Sequence, residues 1–317
     1  MKMQYAPIAL FTYNRADHTK QAVESLLKNA EAKDSDLFIF SDGPKNEKAV
    51  EGVKKNREYI KTLKDGNLNG NGNFRSVTII EREKNWGLAN SLIAGITEIV
   101  NKYGRVIVVE DDLILSPYFL QFMNEALEKY KDDDRVSAIS GFLNPIGGEV
   151  PNTFFLRYFA CWGWATWKRG WDLLNQDANA LLKQIRWRTR HFNFDQIANF
   201  YGQLYCQKLG LISSWAIRFY ASSYLRNKLI LYPGVSTTIQ TGRDGSGTHS
   251  KEEPVLYSNM VCAQAPIAVE DIEVAESARM YRAFCDFYKK EVNENNIKRN
   301  YKVFKSFVRR LIGMDYD

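Results

Sequence analysis

Apolar positions in this chain fall into two alternating patterns, short unbroken runs and longer stretches with a period of three to four. Pro7–Tyr13 is an apolar run that predicts a strand ending at Asn14-Arg15. Ala22, Val23, Leu26, Leu27 and Ala30 then line one face of a helix. Asp36–Ser41 predicts the second strand, closed by the turn Asp42-Gly-Pro44, and residues 46 to 63 a charged amphipathic helix. Three Gly and four Asn between Lys64 and Asn73 predict an excursion with no element of its own. Val77–Ile80 follows as a third strand. A helix then opens after Asn85-Trp86-Gly87 and carries Leu88, Leu92, Ile96, Ile99 and Val100. Strand and helix in strict alternation predict a parallel sheet covered on both faces.

The fourth strand organises the rest. Val106–Val109 run without a polar break and stop at Glu110, Asp111 and Asp112. A wholly apolar run of this kind suits a buried central strand. Its three acids therefore fall at the carboxyl end of the sheet, where open α/β folds bind ligands. Adjacent carboxylates repel, and a divalent cation with hydroxyl groups would relieve them; the plainer reading is a solvated acidic turn. Ser116-Pro117 predicts a helix start, Ser as cap and Pro at the first position, with Phe119, Leu120, Phe122, Met123 and Leu127 on its apolar face. Val136–Ser140 predicts another strand.

Beyond residue 140 the pattern is less regular. Four Trp fall within ten residues, Trp162, Trp164, Trp167 and Trp171, either as core or as a wall for a stacked sugar. Ser213–Tyr220 mixes polar and aromatic residues, and Leu229–Pro233 predicts a short strand. Thr241–His249 holds three Gly with Arg243, Asp244 and His249 between them, a composition suited to a loop that closes over a ligand. From 297 to 314, Lys298, Arg299, Lys302, Lys305, Arg309 and Arg310 accompany an apolar face of Phe304, Phe307, Val308, Leu311 and Ile312. That predicts an amphipathic helix drawn to an anionic membrane surface, or a terminal helix docked on the core.

Composition narrows the function. At 317 residues, 45% hydrophobic and 25% charged, the chain can build a sizeable core. A net charge of +6 is too small for its length to imply nucleic acid. No apolar run approaches the roughly 18 residues that span a bilayer, and Ile8–Phe11 is too short for a signal peptide. Cys161, Cys206, Cys262 and Cys285 are scattered, which predicts reduced thiols in a cytoplasmic protein. Neither G-x-G-x-x-G after the first strand nor G-x-x-x-x-G-K-[ST] occurs. A nucleotide's phosphates would need another partner, and a metal at the acidic cluster would serve.

Val-Val-Glu-Asp-Asp-Leu followed by Ser-Pro and an aromatic helix resembles the metal-binding motif of GT-A type glycosyltransferases. The similarity is to the N-acetylglucosaminyltransferase I family and its bacterial relatives in particular. Arg15, Ser41-Asp42, Gly163-Trp164 and Gly242–His249 match in the same order, across roughly residues 5 to 250. The resemblance implies a Rossmann-like α/β fold, a mostly parallel central sheet flanked by helices with a less regular acceptor-side half. Residues 1–140 would bind the nucleotide sugar, 141–260 the acceptor, and 261–317 would form a helical tail. By the same resemblance Arg15 and Asp42 contact uracil, Glu110 the donor sugar, and Asp111 the sugar or ribose hydroxyls. Asp112 ligates Mn²⁺ or Mg²⁺, with His249 as second ligand or diphosphate contact and Arg243 on the diphosphate.

The implied activity is a metal-dependent inverting hexosyl transfer, from a UDP-sugar such as UDP-GlcNAc to a bacterial glycan or lipid-linked acceptor. The protein would then be cytoplasmic and peripheral at the inner face of the membrane. Inversion needs a carboxylate base. Where relatives carry Asp before a Trp, this chain has Ser213-Ser214-Trp215; Asp244 is the first substitute and Asp195 the second. Two other readings stay open, a nucleotide-sugar or glycan-binding protein without turnover, and a sugar nucleotidyltransferase. Against the latter, Thr12–Asp17 lacks a Gly-rich basic loop after the first strand.

Overall fold

The computed structural model describes residues 5–64, 73–242, 257 and 260–293. The first half follows the predicted alternation: β1 (Ile8–Thr12), α1 (Ala16–Leu27), β2 (Asp36–Ser41), α2 (Glu47–Thr62), β3 (Ser76–Glu81), α3 (Leu88–Tyr103) and β4 (Arg105–Glu110). These four strands are parallel, in the order β3-β2-β1-β4. Their period of two explains the unbroken apolar runs. Ala9, Phe11, Val106 and Val108 enter the core on one face; Ile8, Leu10, Ile107 and Val109 enter it on the other. Gly95 lets α3 settle on the first face, because a Cβ there would stand 2.8 Å from the Phe11 ring and 3.0 Å from Phe40.

The second half continues the same sheet. It contributes β6 (Val136–Ser140), β7 (Thr153–Leu156), β8 (Trp164–Trp167) and β9 (Leu229–Pro233), giving eight strands in the order β3-β2-β1-β4-β8-β6-β9-β7. β8 runs antiparallel to both β4 and β6. The sequence boundary near residue 140 thus divides one sheet, not two. Helices α5 (Lys168–Trp171), α6 (Ala178–Ile185), α7 (Thr189–Phe192), α8 (Phe200–Lys208) and α9 (Trp215–Leu225) belong to this half. Of the clustered tryptophans, Trp164, Trp167 and Trp171 are buried and Trp162 half-buried, so the group is mainly core.

The predicted helix start at Ser116-Pro117 is corrected. The chain first forms β5 (Leu113–Leu115), which pairs antiparallel with β10 (Thr238–Gln240), and helix α4 (Phe119–Lys129) begins after Tyr118. Ser116 instead donates to the Ala263 carbonyl at 2.6 Å and accepts from the Tyr118 amide at 3.1 Å. Its hydroxyl is drawn away from capping by a partner 147 residues distant.

Residues 260–277 are irregular apart from a single bridge from Glu276 to Phe155, and 278–293 form a helix. That helix is part of the body: Met280, Phe284 and Phe287 are buried in the same core as Trp164. Phe284 meets Phe154, Tyr158, Phe194 and Tyr232. The basic segment 297–314 and the Asn/Gly-rich stretch at 65–72 lie outside the described residues. Phe284→Ala is expected to lose about 3–5 kcal/mol of stability, measured by urea unfolding; a loss below 1 kcal/mol would mean that the helix is not integral to the core.

Candidate functional site

The strand order reverses between β1 and β4, the position at which open α/β sheets form a ligand crevice. Three candidates converge there. Arg15, just beyond β1, bonds Asp111 through Nη2 and Asp112 Oδ2 through the same nitrogen, the latter at 3.0 Å. The other Asp111 oxygen accepts from the Tyr13 amide at 3.2 Å, and the Asp111 amide donates to the Phe11 carbonyl at 3.1 Å. Asp111 is thereby fastened to the end of β1 at both its backbone and its side chain. Arg15 remains firmly charged: burial works against its charge, but Asp111 and Asp112 more than offset it.

Across the crevice the β5–β10 ribbon brings in residues distant in sequence. The Thr241 amide donates to the Asp112 carbonyl at 2.7 Å, and its hydroxyl to the same carbonyl at 3.0 Å. Gln240 Nε2 reaches Asp112 Oδ2 at 3.5 Å. Gly242 closes this wall so tightly that a Cβ would collide with Asp112 Oδ2 and stand 3.0 Å from Arg15 Nη1. Two buried polar atoms border this cradle without a hydrogen-bond partner among the described residues, the donor Arg15 Nη1 and the acceptor Gln240 Oε1. Buried polar groups are ordinarily satisfied, so the pair marks space built for a polar ligand.

The carboxylates themselves are held under electrostatic pressure. Burial pushes the Asp111 carboxyl up to about 6, against the opposing pull of Arg15. Glu110, half-buried at the end of β4, is raised well above the ordinary glutamate range by desolvation first, then by Asp112 and Asp111. It accepts no hydrogen bond among the described residues. The Cys161 thiol lies close enough to feel Glu110 and is raised as well, chiefly by burial, so it stays protonated.

Asp42 reaches the same end of the sheet, but its carboxylate is already filled. It accepts from the amides of Gly43 (3.0 Å), Trp86 (2.9 Å) and Gly87 (2.9 Å) and from Asn85 Nδ2 (3.1 Å). Asp42 therefore builds the turn before α3, leaving little capacity to accept from a uracil N–H. That turn presents Trp86, 45% exposed, with the Arg82 guanidinium 3.6 Å from the centre of its ring. The sequence reading passed over Trp86 and Gln240, because only the fold carries them to the crevice.

The expected base position holds no acid. Ser213 is exposed, and Ser214 caps α9 by accepting from the Ile217 amide at 3.3 Å. Asp195 is not brought to the cluster. It sits in a turn of three successive left-handed residues, Phe194, Asp195 and Gln196, pairs with Arg190 at 3.1 Å, and its amide donates to the Tyr281 hydroxyl oxygen at 3.2 Å. The remaining sequence candidates, Arg243, Asp244 and His249, lie outside the described residues.

Among the described residues no three ligating side chains surround a common point. The cradle does fit a hard cation that arrives with a diphosphate. Magnesium-like ions commonly take one or two carboxylates and complete their shell with phosphate oxygens and water, and Asp112 Oδ1 accepts no hydrogen bond among the described residues, the contacts of that carboxylate falling on Oδ2. No helix among the described residues is long and apolar enough to cross a membrane.

Comparison with known families matches the model of glycosyl transferase family 2 over residues 8–198. This span includes β1, β4 and all three acids, and it stops before α9 and Gly242. A comparison with curated proteins finds no match.

Two outcomes follow from the crowded charge. Glu110→Gln should raise the melting temperature of the metal-free protein. The advantage is absent at low pH, where Glu110 is protonated folded and unfolded. It opens above the ordinary value of 4.5 and widens through neutral pH, because the folded state holds its proton to higher pH than the unfolded chain. Scanning calorimetry in EDTA from pH 4 to 9 tests this; a constant or shrinking gap contradicts it. Gly242→Ala should weaken binding of UDP with Mn²⁺ by about tenfold or more while leaving the fold intact, since about 1.4 kcal/mol of steric displacement suffices; equilibrium dialysis and circular dichroism report the two halves.

Proposed function

The chain belongs to glycosyl transferase family 2, and from that premise we propose a metal-dependent, inverting transfer of a sugar from a UDP-sugar to a hydroxyl of a glycan or lipid-linked acceptor. Glycosyl transfer sets aside the nucleotidyltransferase reading. The observation that carries the finer proposal is the cradle of Arg15, Asp111, Asp112 and Gly242 with its two unsatisfied polar atoms.

Arg15 and Trp86 border the nucleotide, Arg15 offering its free Nη1 to a uracil or phosphate oxygen. Asp111, with both oxygens on Arg15 and Tyr13, orients that arginine and takes ribose or sugar hydroxyls at its edge. Glu110 accepts from a donor-sugar hydroxyl, a bond that would replace the partner it lacks. Asp112 would hold Mn²⁺ or Mg²⁺, which as a Lewis acid stabilises charge on the departing UDP. His249 is the proposed second ligand. Arg243 and Asp244 directly follow Gly242, and two residues of chain span at most about 7 Å. Arg243 is accordingly assigned to the diphosphate and Asp244 to the general base.

A second reading, binding without transfer, draws its support from Ser213 and Ser214 at the expected base position. Turnover separates the two. Release of UDP from a panel of UDP-sugars should occur for one donor with Mn²⁺ and stop with EDTA. Asp112→Ala should abolish metal-dependent donor binding. Asp244→Asn should lower turnover by about 10²-fold or more with donor affinity kept, the usual contribution of a general base. Donor binding without release, with mixed acceptors present, would favour the binding protein.

A further inference from the structure

Helix α9 is buried over nearly its whole surface, and its fourth residue is an arginine. Arg218 is only 7% exposed. Its Nε donates to the Ser214 carbonyl at 3.1 Å, so the side chain folds back over the helix's own first turn. Its two Nη groups make no hydrogen bond among the described residues. Burial lowers its pKa, and no acid among the described residues opposes the shift. A guanidinium desolvated along most of its length, with its Nη atoms reaching solvent and no carboxylate among the described residues beside it, is a cost to the folded state. Arg15, Arg75 and Arg157, by contrast, each lie on a carboxylate.

The surroundings are those of an anion site. The Trp215 and Ala216 amides and the helix dipole favour negative charge, the Ile217 amide being already bonded to Ser214 Oγ, and the exposed Ser213 leaves that end open. Trp215, the first residue of α9, stacks on Trp164 with ring centroids 5.3 Å apart. Trp164 pairs in turn with Val108, two residues before Glu110. The helix end thus flanks the carboxylate cluster on the side away from β1, β2 and β3.

We propose that Arg218 and the first turn of α9 form a subsite for a phosphate group carried by the acceptor. The term acceptor rests on the glycosyltransferase reading; the anion subsite itself does not. The subsite also gives a physical reason for Ser213. An aspartate there, one residue before the carbonyl that Arg218 reaches, would neutralise the guanidinium and occupy the site with the protein's own carboxylate. Serine keeps the cation open to a ligand's phosphate.

The test is thermal unfolding of the full chain in EDTA, with inorganic phosphate against chloride at matched ionic strength. Wild type should gain about 2 °C or more in phosphate, the effect of a tenfold excess over the dissociation constant for a chain of this size. Arg218→Met should melt higher than wild type in chloride and gain nothing from phosphate. Ser213→Asp, a change at an exposed position, should likewise lose the phosphate response. The proposal is overturned if phosphate leaves wild type unmoved, or if both variants respond as wild type does. It is also overturned if Arg218→Met melts lower in both salts, the sign of a purely structural arginine. UDP binding with Mn²⁺, measured in parallel by equilibrium dialysis, should persist in both variants. Its absence from wild type would defeat the donor reading and leave the phosphate result to stand by itself.

Discussion

Arg15 stands between two carboxylates that would otherwise repel each other at the mouth of the crevice. Two like charges about 4 Å apart in an effective dielectric near 20 oppose each other by about 4 kcal/mol, comparable with a large share of a domain's net stability. One guanidinium shared by Asp111 and Asp112 offsets that repulsion and ties the ends of β1 and β4 together. Breaking it would free both acids and loosen the crevice where the sheet order reverses. Glu110 lies just outside this arrangement, and its pKa is raised by burial first and then by the repulsion from Asp112 and Asp111 that Arg15 leaves unneutralised. The site is therefore kept ready for a ligand that brings positive charge and hydroxyl groups.

The second constraint is the β5–β10 ribbon. Three residues on either side of the crevice pair across more than a hundred positions of chain, so that the backbone of Thr241 grips the backbone of Asp112. Only a residue without a side chain can follow at 242, because Asp112 and Arg15 already fill the space a Cβ would take. The two halves of the chain are thus joined at the cradle itself. The continuous sheet lies beneath them, and its edge strand β7 is bridged at Phe155 by Glu276, on the arm that leads to the helix at 278–293.

In its second half the fold accepts features that stability alone would not favour. Three consecutive left-handed residues at 194–196 are held in place by packing of Phe194 against Tyr281, Phe284 and Tyr288 and by the bond from Asn193 Nδ2 to Gln196 Oε1 at 3.1 Å. Arg218 is buried without a carboxylate. Strain and unpaired charge of this kind are retained where the surrounding structure over-determines them. The aromatic core that runs from Trp164 to Tyr288 does so here.

Much of the first half was legible because its signal is local. The period of two in β1 and β4, the helical spacing of α1 and α3 and the stop at Glu110-Asp111-Asp112 follow from backbone geometry and burial, which neighbouring residues fix. Arg15 was named from its motif, and the fold put it on the acids. Ser116 was misread as a cap because its partner, Ala263, lies far along the chain. Asp195, the second substitute for the base, is directed by its turn to Arg190. Asp42 looked like a free acceptor until the amides of 86 and 87 filled it. The sequence by itself determined the order of elements and the chemical types available at the carboxyl end of β4. Which of those groups meet, which are already satisfied and which are left open was decided by tertiary structure alone, because hydrogen-bond capacity and desolvation depend on neighbours that the chain brings together only when folded.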